Sequence, residues 1–214
     1  MMLASKKNPI LHIPAQKTPS FSLPAHTVTW ESFPSQISTT LAPADVAEFF
    51  ALHEQGSQLA RKRKQRIAAL RKKYPHHPEI LNLAALIYLS HYRLRQANRC
   101  IELNYQFNPD YLFAKINYAD LCLRRKKPAA VPPIFNGHLS LRALYPNRKV
   151  FHVSEFRGFM VVMGLYHLSI GERDRAACYH YLAHRVDPHH PSTKVLQKKL
   201  YALSWYHKLF QRYR

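Results

Sequence analysis

Apolar residues along this chain fall into a paired-stripe pattern that three stretches share. The middle stretch reads Leu81-x2-Ala84-Ala85-x2-Tyr88-x8-Ala97-x3-Ile101-x2-Asn104-x4-Pro109. A later one reads Met160-x2-Met163-Gly164-x2-His167-x8-Ala176-x3-His180-x2-Ala183-x4-Pro188, with Gly171 between its halves. An earlier, weaker one runs Ala47-x2-Phe50-Ala51-x2-Glu54-x8-Arg63-x3-Ile67-x2-Leu70-x4-Pro75. In each, the first set sits at i, i+3, i+4, i+7, which is one face of a helix. A turn follows, then a second stripe that opens on a small residue in the two stronger copies (Ala97, Ala176), where two helices must approach closely. Pro109 and Pro188 end the second helix, because proline lacks the ladder amide and clashes with the preceding turn.

A helix-turn-helix unit that recurs with this spacing resembles the tetratricopeptide repeat family. The resemblance covers roughly residues 44–190, with copies at 44–77, 78–111 and 157–190. Glu54 and Arg63 depart from it in the first copy, at positions the family fills with apolar or small residues. The stretch 112–156 is irregular: Tyr118, Ala119 and Cys122 keep the register, then Pro128, Pro132 and Pro133 interrupt it. There the chain predicts a proline-bent connection, a helix around Leu139–Tyr145, a loop Pro146–His152, and Ser154 as the cap of the next helix.

The flanks differ. Residues 1–42 carry Pro9, Pro14, Pro19, Pro24 and Pro34 among serines and threonines, with no helical period, and predict an extended or disordered arm. Its scattered hydrophobes, Ile10, Leu11, Ile13, Phe21, Leu23, Trp30 and Phe33, are anchors that could dock on a groove. Residues 191–214 predict a basic amphipathic helix, capped by Ser192 or Thr193 after Pro191, that would cover the last repeat. The expected fold class is thus all-α: a solenoid of three to four tetratricopeptide-like helix pairs with a C-terminal capping helix and a disordered N-terminal arm.

The resemblance implies a concave surface lined by the first helix of each pair. Its inward positions hold Asn82, Leu83, Leu86 and Leu89, then Phe113, Ile116, Asn117 and Asp120, then Val161, Val162, Leu165 and Leu168. That lining is mainly apolar and suits an extended peptide or an amphipathic helix. Some members of the family bind acidic tails through a clamp of lysine, asparagine and arginine. The corresponding positions here hold Asn82, Leu86, Asn117, Gly158 and Val162, so only Asn117 matches and clamp-type binding is not expected.

Charge changes the picture. Lys and Arg number 32 against 12 Asp and Glu, a formal net charge of +20. The densest run is Arg61, Lys62, Arg63, Lys64 and Arg66, continued by Arg71, Lys72 and Lys73; a second is Arg124, Arg125, Lys126 and Lys127. A field of this size concentrates anions, whether acidic protein or nucleic acid. Without a recognition helix or zinc knuckle, any nucleic-acid contact would be to phosphates and independent of sequence.

Site chemistry is sparse. Fourteen histidines invite a metal, yet His180 and His184, one turn apart, have no third ligand nearby in sequence. No phosphate-cradling glycine loop, metalloprotease signature or nucleophile elbow occurs. No cofactor, metal or catalytic residue is therefore expected. Cys100, Cys122 and Cys178 fall in helical patterns and read as reduced thiols of a cytoplasmic protein. No run is long and apolar enough to span a membrane, and the first residues, which lack an apolar block after Lys6-Lys7, predict no secretory leader. The functional expectation is a non-enzymatic adaptor or chaperone-like scaffold that holds a protein or peptide ligand. The competing expectation is a basic nucleic-acid or ribosome-associated factor.

Overall fold

A computed structural model describes residues 10–18, 21–31, 37–54 and 60–211. The protein is mostly helical and divides into two units, Phe33–Leu121 and a two-segment unit of Met1–Ser32 with Cys122–Arg214. In the two-segment unit the N-terminal segment packs with the C-terminal part of the chain.

The middle unit begins with α1 (Ile37–Thr40) and α2 (Pro43–Glu54). Helix α3 (Ala60–Lys73) then runs back, with Ile67 and Leu70 buried. Polar contacts tie the pair together. Asp45, in the first turn of α2, accepts from Lys73 Nζ at 2.8 Å and from the Tyr74 hydroxyl at 2.9 Å. These bonds, that of Lys73 first, hold its carboxyl below the usual carboxylate range. Arg66 forks onto Glu48 at 2.7 and 2.6 Å, and Arg63 caps the Leu52 carbonyl at 2.8 Å. Arg63, out of pattern in the sequence, thus satisfies a carbonyl near the end of α2, one of those a helix cannot bond internally.

Helix α4 (Pro78–Ser90) starts on a proline, whose missing amide costs nothing at that position. It buries Ile80, Leu81, Leu83, Ala84, Ala85, Ile87 and Tyr88, and so is enclosed on most of its circumference. By contrast α5 (Leu94–Phe107) buries only the stripe Ala97, Cys100, Ile101 and Asn104. Asn104 is 2 % exposed and donates to the Pro78 carbonyl at 3.0 Å, which staples the end of α5 to the start of α4. The turn between them places Tyr92 at φ 57°. Helix α6 (Leu112–Arg124) follows and carries the chain out of this unit.

The two-segment unit overturns the expectation of an unstructured arm. Residues 10–18 and 21–29 contain β1 (Ile10–Ile13), β2 (Gln16–Thr18), β3 (Phe21–Leu23) and β4 (His26–Thr29). β1 pairs antiparallel with β4, Ile13 facing His26, and β2 pairs with β3. Pro14 and Pro24 lie between strands, where no ladder amide is needed, so prolines that read as disorder act as punctuation. Ile13, Leu23 and Val28 are almost fully buried, whereas Ile10 and Trp30 are each 45 % exposed. Residues 37–40 of the predicted arm form α1 in the middle unit, and residues 1–9, 19–20 and 32–36, Phe33 among them, lie outside the described residues.

After α6 comes a 3₁₀ turn (Pro128–Ala130), then α7 (Val131–Ile134) and α8 (Leu141–Leu144). The helix expected around Leu139–Tyr145 is thus a single turn. The expected loop Pro146–His152 ends in β5 (Val150–His152), which pairs parallel with β4, Val28 opposite Phe151. His152, rather than Ser154, caps α9 (Val153–Ser169): its Nδ1 accepts from the Ser154 amide and Glu155 reaches back to the His152 amide at 3.0 Å. Arg148 forks onto that glutamate.

Helix α9 buries Phe156, Phe159, Met160, Val161, Val162, Met163, Gly164 and His167. Gly171, at φ 85°, makes the turn into α10 (Arg173–Val186). A Cβ at Gly164 would stand 2.6 Å from Leu196 of α11 (Pro191–Gln211) and 3.4 Å from Tyr179 Cβ of α10, so three helices meet on that glycine. His190, rather than Ser192 or Thr193, supplies the acceptor at the start of α11, taking the Ser192 amide at 3.2 Å.

Candidate interaction surfaces

On the middle unit, α4 contributes Asn82, Leu86 and Leu89 at i, i+4, i+7, and α6 contributes Phe113, Asn117 and Asp120 at the same spacing. The two stripes meet: Asn117 Nδ2 donates to Asn82 Oδ1 at 2.7 Å. Leu86 is 50 % exposed, while the other five are half-buried. Leu83 and Ile116, expected on the same surface, are buried. In the two-segment unit Val161 and Val162 are also buried, and Leu165 and Leu168 half-buried. Burial takes Leu83, Ile116, Val161 and Val162 out of direct reach of a guest, because helices enclosed on several sides put their apolar positions into packing.

The basic run on α3 is not uniform. Arg63, Arg66 and Lys73 are engaged with α2 as described, and Arg71 donates to Cys100 Sγ at 3.1 Å. Arg61 and Lys62 are exposed and Lys64 half-exposed. Arg61, Lys64 and Gln65 line a depression of ≈ 560 Å³ whose other walls are Tyr88, Arg93 and Gln96. Arg93 and Gln96 escape a reading that looks for charge runs, since each stands apart in sequence; their spacing on the first turn of α5 was the available signal. Arg124, Arg125, Lys126 and Lys127 are exposed at the end of α6 and the turn after it, Lys126 at φ 59°.

Several histidines sit in packing. His26 is 3 % exposed between Phe151 and Phe156, and neither ring nitrogen finds a partner in hydrogen-bond geometry. Burial pushes its pKa down to about 4, against a smaller upward pull from the Pro24 carbonyl, and Arg142 adds to the fall. His167 stacks on Tyr179 with ring centroids 5.2 Å apart and meets Glu172 at 2.6 Å; burial nonetheless lowers its pKa. His180 and His184 have ring centroids 5.6 Å apart. Among the described residues no group of three His, Cys, Asp or Glu could hold a metal ion. Cys100 and Cys122 are buried and Cys178 half-buried, all three as thiols. Among the described residues no helix is long and apolar enough to cross a membrane.

Comparison of the chain with protein-family models, with curated proteins and with solved structures gives no match in any of the three.

Proposed function

We propose that this protein is a non-enzymatic interaction module whose α4–α6 face holds an extended peptide or a helix from a partner protein. In this reading its helix pairs are tetratricopeptide-like repeats, and α11 caps the last of them. The observation that carries the proposal is the Asn82–Asn117 bond beside the exposed Leu86. Two helices there present amide groups and an apolar anchor side by side. Amide side chains both donate and accept, and so can pair with the free main-chain groups of an extended guest. Leu86 supplies apolar area for one aliphatic side chain of that guest. The +20 charge would favour acidic partners and speed encounter.

Panning a peptide library on the full chain tests this. Peptides with aliphatic anchors should be enriched, and Leu86→Asp should abolish their binding at unchanged helical content, since a half-exposed site tolerates a charge without unfolding. Undiminished binding by that variant would exclude the α4–α6 face.

A further inference from the structure

The cations of α3 divide by helix face. Arg63, Arg66 and Lys73 turn toward α2, where a carbonyl and two carboxylates receive them. Arg61, Lys64, Gln65 and Ala68, at i, i+3, i+4, i+7, form the opposite stripe and one wall of the ≈ 560 Å³ depression. Arg93 and Gln96, a turn apart at the start of α5, and Tyr88 of α4 complete its lining. Three cations thus converge on one hollow whose lining contains no carboxylate. Arg71, seven residues after Lys64 on α3, adds positive potential at Tyr88. Like charges gathered this way oppose folding unless an anion sits among them.

We infer that this depression is a phosphate-binding site for a single-stranded nucleic acid. The choice of a strand over a compact anion follows from the helices that flank it. Lys72, four residues after Ala68 on α3, and Arg99, three residues after Gln96 on α5, are exposed and prolong the two rows beyond the hollow. A lone phosphate uses only the hollow; a strand extends along both helices. Gln65 and Gln96 add neutral donors and acceptors suited to unpaired base edges or ribose hydroxyls. Contacts of this kind position a strand and carry little sequence preference.

The test is fluorescence anisotropy of a short labelled single-stranded RNA of mixed sequence with the full chain, repeated as salt is raised. Lys64→Ala with Arg93→Ala should weaken binding at least about tenfold and flatten the log–log salt slope by about 1.4, the value for two lost phosphate contacts on a single strand. Lys198→Ala with Lys199→Ala, which removes equal charge from α11, should change it far less. Gln65→Glu, which puts a carboxylate into the hollow and removes no cation, should also weaken binding. Equal losses from the two double variants would reduce the effect to net charge and overturn the site. So would an absence of RNA binding at low salt. A polyglutamate peptide bound as tightly as the RNA, and equally sensitive to the α3–α5 variants, would replace the nucleic acid with an acidic protein and overturn the inference as well.

Discussion

Truncating Tyr179 to alanine should destabilise the two-segment unit by about 3–5 kcal/mol, the usual cost of removing a large aromatic side chain from a core. The ring is fully buried against His167 and Phe21. Its hydroxyl donates to the Leu139 carbonyl at 2.5 Å and ties α10 to the segment before α8. Burial raises the hydroxyl's pKa, so it stays protonated and able to donate across the usable pH range. Tyr179→Phe separates the two contributions. It keeps the ring, orphans the Leu139 carbonyl and should cost about 1–3 kcal/mol. Urea unfolding of the three proteins gives the difference directly. An alanine variant within 1 kcal/mol of the parent, a figure well below the about 3 kcal/mol floor for such truncations, would mean that the site collapses around the missing ring.

Mild acid should loosen the two-segment unit before the middle one. Burial lowers the pKa of His26, His152, His167, His180 and His190 in the first, and of His77 in the second. A histidine that binds protons less readily folded than unfolded favours the fold above its unfolded pKa, near 6.5. That contribution is lost as pH falls from there toward the folded value. For His26 the window runs from 6.5 to about 4, which corresponds to about 3 kcal/mol. Asp45 in the middle unit acts in the same direction but only below its ordinary value of 3.8. Hydrogen exchange read peptide by peptide at pH 7 and pH 5 should show protection falling first in β4, β5 and α9. His26→Phe should remove most of the dependence that arises at the sheet. An equal loss in both units, or an unchanged slope in that variant, would contradict this account.

The helices of the middle and late stretches were legible because their apolar residues are local and periodic. Ala97, Ile101 and Asn104 stand in the sequence as one stripe, and α5 buries them together with Cys100. Ala97 and Ala176 are fully buried, as close helix approach requires. The sheet was not legible. β4 finds one partner, β1, at short range, but the other, β5, lies beyond the entire middle unit in sequence, and strands of three or four residues give little alternation to read. The surfaces were legible in part. The stripes of α4 and α6 could be placed, yet which of their leucines and isoleucines remain open depends on what packs over them. In the basic run, composition shows the charge but not which cations α2 receives and which line the hollow.

The parallel pairing of β4 with β5 also dictates an order of events during synthesis. Residues 27–29 leave the ribosome long before residues 150–152, and a hairpin of two short strands is marginal alone in water. Residues 33–121 are contiguous and can close their own core while the first strands wait, half-templated, for the later segment. Translation that stops before Val150 would therefore leave β4 with an open edge, the part of a nascent chain on which holding chaperones and unwanted strand partners compete.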